Sequence, residues 1–109
     1  MKPRNENHDN MMTILEVIGS KWNLMILRNL ENGSLRFTEL QKRMGEINSK
    51  TLTCHLRYLE KYNIVDRKVY PEVPLRVEYS LTEYGRAFLP AFKAIKAWGK
   101  SLPPPRELS

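Results

Sequence analysis

The sequence predicts a single α+β domain, mostly helical. Three observations predict it: apolar residues recur at helical spacing in five stretches, two Val- and Tyr-rich segments flank a proline-bearing loop, and 109 residues suit one domain. The 41% hydrophobic content supplies a core and the 28% charged content a soluble surface. Boundaries follow from composition: a flexible polar segment over residues 1–10, a folded domain over 11–102 and a flexible proline-stiffened tail over 103–109.

Met11, Ile14, Leu15 and Ile18 define a short first helix, with Gly19 as a left-handed stop. Ser20 caps a second, carrying Trp22, Met25, Ile26 and Leu30 on one side and closing at Gly33. A stub of strand over residues 34–36 precedes FTELQKRMG, where Thr38 and Gln41 stand at capping-box spacing. After the turn at Gly45, Asn48 caps SKTLTCHLRYLEKYN, and Ile47 is placed to pack on Leu52 as a hydrophobic staple. Two short helices joined by a glycine-bearing turn make a helix-turn-helix.

IVDRKVY and LRVEYSL then read as a hairpin, because Val77, Tyr79 and Leu81 alternate with Arg76, Glu78 and Ser80. Pro71 and Pro74 exclude PEVP from a central strand and stiffen the loop into a finger. Thr82 caps a last helix in which Phe88, Leu89, Phe92, Ile95, Trp98 and Leu102 recur every three or four residues, with a bend expected at Pro90. The order describes a winged helix-turn-helix with a two-stranded wing and terminal helices available for dimerisation.

The net charge of +6, from 18 Lys and Arg against 12 Asp and Glu, suits a polyanionic partner, double-stranded DNA first. On a helical wheel Leu56 and Leu59 fall within about 40° of Leu52. Lys50, Thr53, Cys54, Arg57 and Lys61 fall on the other side, with no carboxylate among them. Such a face suits a major groove, where Arg and Lys donate to guanine and Thr meets the thymine methyl. The alternative is an ordinary solvated face. Ser49, Lys50 and Thr51 add helix-start N–H groups for a phosphate. Arg67, Lys68 and Arg76 lie on the hairpin and Arg36 on the stub strand, each placed for a backbone contact.

The last helix carries more large apolar residues than so small a core needs. A homodimer would bury Met11, Ile14, Leu15, Phe88, Leu89, Phe92, Ile95 and Trp98 and set two reading helices about 34 Å apart, one DNA turn. Trp22 and Trp98 read as core or dimer anchors, with room for an unidentified small-molecule effector between them. His8 and His55 stand at no metal spacing, His55 is expected to flank the basic stripe, and no cofactor is expected. Glu16, Glu39, Glu60 and Glu83 fall in separate helices, and there is no Gly-rich phosphate loop or nucleophile elbow, so no enzyme is expected. The N-terminus lacks a secretion signal's apolar core, so a cytoplasmic location without membrane contact is expected. Cys54, as the single cysteine, forms no internal disulfide.

GSKWNLMILRNL, RFTEL, INSKTLTCHLRYLEKYNIVDRKVYPEVPLRVEYSLTEYG and the closing AIKAWG resemble the HxlR-type winged-helix transcriptional regulators of bacteria, relatives of the MarR-type regulators. The resemblance covers roughly residues 9–100, and YPEVPLRVEYSLTEYG is its most specific stretch. It implies a homodimer that pairs terminal helices and binds a pseudo-palindromic operator, more readily as a repressor than as an activator. It also implies that Ser49, Lys50, Thr53, Cys54 and Arg57 face the groove, that Arg76 belongs to the wing, and that the Trp98 helix holds the partners together. Many such regulators place a redox-sensing cysteine twelve residues before the lysine of the KW pair; here that position is Asp9. A modified Cys54 thiol in the groove would obstruct DNA directly, but the favoured reading of Cys54 is a small residue fitted against bases. Against the DNA-binding reading stands a winged helix used as a protein-interaction or assembly module.

Overall fold

The computed structural model describes residues 6–108, and the side chains of residues 11–108. The elements are α1 (Glu6–Ile18), α2 (Lys21–Asn29), β1 (Leu35–Arg36), α3 (Phe37–Arg43), α4 (Ser49–Lys61), β2 (Val65–Tyr70), β3 (Arg76–Leu81) and α5 (Glu83–Ser101). Five helices and a small antiparallel sheet form a mostly helical α+β winged helix-turn-helix. The helix α1 starts at Glu6, five residues before the apolar stripe. Propagation past a formed turn costs little, so the backbone stays helical beyond the residues that bury it. The flexible segment expected over residues 1–10 therefore overlaps α1 at its end, and residues 1–5 lie outside the described residues. Asp9 falls within α1, and its side chain is likewise outside them.

Gly19 is not left-handed; a Cβ there would come 2.7 Å from the Leu15 carbonyl oxygen, which accepts the Gly19 amide at 2.9 Å. Ser20 caps α2 as expected, accepting the Asn23 amide at 3.3 Å. The expected Thr38–Gln41 box does not form. Arg36 stands at the cap position of α3, and its amide donates to Glu39 at 2.8 Å. An extended Arg36, already paired in the sheet, sets the helix start two residues early and leaves Gln41 for another task.

Leu30 and Leu40, with Leu52, Leu56 and Leu59 of α4 and Val65 of β2, form the centre of one core, none more than 2% exposed. The sheet order is β1-β3-β2. The stub strand thus joins the hairpin as a third strand, pairing Leu35 with Tyr79 and Arg36 with Glu78. The alternation expected of β3 holds, with Tyr79 and Leu81 buried and Val77 packed against the core. A knot of hydrogen bonds sits where α4, the sheet and α5 meet. The Thr82 amide donates to the Ile64 carbonyl at 3.1 Å, its hydroxyl donates to Asn63 at 2.6 Å, and the same hydroxyl accepts the Gly85 amide at 3.0 Å. A Cβ at Gly85 would collide with the Ile64 carbonyl, so only glycine permits this approach.

Beyond the knot, α5 runs as one helix through Pro90, and from Lys93 to Ser101 every side chain is exposed. The radius of gyration is 16.6 Å. A compact chain of this length has about 13 Å. The exposed second half of α5 and the exposed residues 102–108 beyond it contribute to the excess.

Candidate nucleic-acid interface

Asn48 starts α4 by accepting the Thr51 amide at 2.8 Å. Leu52, Leu56 and Leu59 turn fully inward, so the geometry of a 3.6-residue helix turns Lys50, Thr53, Cys54, Arg57 and Lys61 outward, and all five are exposed. Among the described residues, no carboxylate forms an ion pair with Lys50, Arg57 or Lys61. Ser49 is exposed and Thr51 half-buried. The turn before them is held by Gln41, whose amide donates to the Ile47 carbonyl at 3.2 Å and to the Ser49 hydroxyl at 3.1 Å. That latch fixes how α4 leaves the turn, and capping-box spacing had assigned its residue elsewhere.

Two further side chains of α4 face the body. His55 does not flank the basic stripe; its Nδ1 lies 2.9 Å from the Oδ1 of Asn23, which is 3% exposed. A buried amide needs a partner, and the imidazole supplies it. The Tyr58 hydroxyl donates to Glu16 of α1 at 2.8 Å. Burial, and then the bond to this carboxylate, push the Tyr58 pKa up to about 12. Together they tie the exposed-cation helix to α1 and α2.

On the sheet, Arg36, Arg67 and Lys68 are exposed, and the Lys68 ammonium lies 5.0 Å from the Tyr70 ring centre. Arg76 differs from the expectation of a free wing cation. It is bonded to Glu72 and Glu78 and stacked on Tyr70, with its guanidinium carbon 3.7 Å from the ring centre. Two carboxylates on a hairpin of alternating charge were visible in the sequence, but their approach to one guanidinium depends on the fold of the loop.

The residues expected at a dimer contact divide in two. Phe88 and Leu89 lean on the chain's own core, and Phe92 is half-buried with its ring 6.1 Å from that of Phe88. Met11, Ile14, Leu15 and Ile95 are exposed, as is Trp98 at 65%. Met12 and Leu102, not anticipated, join them. The two tryptophans part: Trp22 packs on the core, while Trp98 stands out in solvent. An apolar cavity of about 130 Å³ lies instead between Ile14 and Val17 of α1, Leu27, Ile64, and Tyr84 and Phe88 of α5. Among the described residues, no helix is long and apolar enough to cross a membrane, and no three His, Cys, Asp or Glu side chains cluster for a metal.

The family model of the HxlR-like helix-turn-helix matches residues 17–107. An uncharacterized HTH-type transcriptional regulator of Methanothermobacter thermautotrophicus is 47% identical over 83 residues, covering 76% of this chain and 63% of the relative. The HTH-type regulator YdeP of Bacillus subtilis, also uncharacterized, is 43% identical over 88 residues, 81% of this chain and 69% of its own length. The chain thus spans somewhat under two thirds of the first relative and slightly more of the second. Among solved structures, the reduced form of the transcriptional regulator YodB from B. subtilis superposes with a TM-score of 0.81 at 34% identity, covering 98% of this chain and 99% of that one. On the match of both sequence and fold, the chain belongs to the HxlR-like helix-turn-helix family of transcriptional regulators.

Proposed function

We propose that the protein is a sequence-specific DNA-binding regulator that acts as a homodimer on a pseudo-palindromic operator and represses by occluding it. The observation that carries this reading is the face of α4, where Lys50, Arg57 and Lys61 stand exposed and, among the described residues, without ion-pair partners, opposite a fully buried leucine face. Side chains presented in this way on a helix of groove-fitting width can reach base edges, with Thr53 and Cys54 between the cations. Ser49 and Thr51 at the helix start and Arg36, Arg67 and Lys68 on the sheet would hold phosphates. The homodimer draws support from the second half of α5, whose Ile95 and Trp98 are exposed, and from the exposed apolar side chains of α1.

Selection of bound duplexes from a random DNA pool at two salt concentrations tests the reading. Enrichment of an inverted repeat, with half-sites about one helical turn apart and affinity falling steeply with salt, supports it. A monomer that enriches nothing and shows no salt-dependent affinity would transfer the fold to protein assembly.

A further inference from the structure

The outer face of the sheet holds a charge arrangement that DNA contact alone does not explain. Arg36 of β1, Glu78 of β3 and Lys68 of β2 occupy one row of the register, and Arg76 and Tyr70 the row beyond it. Glu78 accepts from Arg76 Nη1 at 2.6 Å and from the Ser34 hydroxyl at 3.0 Å. Ser34 precedes β1, so this carboxylate is tied to the strand that leads into α3.

The same guanidinium reaches the other way. Its Nε donates to one oxygen of Glu72 at 3.3 Å and its Nη2 to the other at 2.9 Å. Glu72 belongs to the proline-bearing loop, outside both strands. Arg76 therefore bridges the loop to the anchored end of β3, with its plane lying over Tyr70 of β2. All three guanidinium nitrogens have a carboxylate partner and one face of the plane is covered. Bonds to the guanidinium hold both carboxyls below the usual carboxylate range. Arg36 and Lys68 flank the cluster and keep this face cationic, but the charge of Arg76 itself is matched by its two carboxylates.

We propose that Arg76 is a positioning residue that braces the wing through Glu72, Glu78 and Tyr70, and that the phosphate contacts of the hairpin are made by Arg67 and Lys68 instead. The inference rests on the DNA-binding reading above. A braced loop loses less freedom when DNA arrives, so the brace raises affinity without touching the ligand. Lysine cannot replace it, because a point charge neither bridges two carboxylates in a plane nor stacks on a ring.

The test titrates the selected duplex at several salt concentrations with the unsubstituted protein, Arg76→Gln, Arg76→Lys, the double variant Glu72→Gln/Glu78→Gln, and Arg67→Ala. The expected result is an affinity loss of about three- to ten-fold in each of the three brace variants, with the slope of log affinity against log salt unchanged. Arg67→Ala should flatten that slope by about 0.9, one phosphate contact. The inference is overturned if Arg76→Gln flattens the slope by the same amount, if Arg76→Lys binds like the unsubstituted protein, or if the double glutamine variant binds more tightly. The double variant keeps Arg76 and adds positive charge, so it decides the matter even if Arg76→Gln folds poorly. Failure of the unsubstituted protein to bind any duplex would instead remove the DNA-binding reading, a result separable from all of these.

Discussion

The face of α4 and the wing both look cationic in the sequence, yet the fold treats their charges differently. On α4 the leucines take the inner side and, among the described residues, the cations of the outer face form no ion pair. On the hairpin, strict alternation puts Arg76 and Glu78 on one face and the loop returns Glu72 to the same place. One region presents its charge outward and the other spends it on its own shape. A formal charge read from a sequence becomes available to a partner only when the surrounding backbone leaves it unmatched.

The comparison breaks most severely if the support under α4 is removed. Leu56 is 1% exposed, and Leu56→Ala should cost about 2–5 kcal/mol, read as a lowered midpoint of denaturant unfolding. A loss below about 1 kcal/mol would mean that α4 is not anchored as described. The next largest effect concerns specificity. Arg57→Ala should weaken operator binding by about 1–3 kcal/mol and relax discrimination at one base position, whereas Arg67→Ala should weaken all sequences alike. Equal behaviour of the two would erase the distinction between the regions.

Two smaller effects sharpen it through pH. Tyr58 has a folded pKa raised from 10.0 to about 12, so the stability from its bond to Glu16 is complete below pH 10 and lost as pH rises through 12. Tyr58→Phe should remove that alkaline component and cost about 1 kcal/mol at neutral pH, both measurable by thermal unfolding. Glu72 and Glu78 have folded pKa values depressed below 4.5, so their contribution is present above pH 4.5 and disappears as pH falls through the lowered values. Amide protection factors in β2 and β3, which remove the intrinsic pH dependence of exchange, should then fall on acidification while those of α4 do not. A uniform fall would indicate global unfolding rather than release of the wing.

The fold was legible because its signals are local and periodic. The caps at Ser20, Asn48 and Thr82, the inward leucines of α4 and the alternation of β3 each follow from spacing within a few residues. The outward stripe of α4 was legible for the same reason. What escaped were bonds between distant residues: Tyr58 to Glu16 spans 42 positions, Ser34 to Glu78 spans 44, and His55 to Asn23 spans 32. Such pairs need the tertiary approach of two elements, and no periodicity encodes them. Local signals also misled where two candidates competed, as when Glu39 took the Arg36 amide and left Gln41 to latch the turn.

The Thr82 knot carries a mechanical consequence. Because one threonine clasps the exit of α4 and launches α5, with a glycine pressed against the Ile64 carbonyl, there is little swivel at that joint. In the homodimer proposed above, a partner that grips the far turns of α5 would inherit the pitch of α4 along with it, and an operator lengthened by one base pair would be met by a caliper whose jaws do not open.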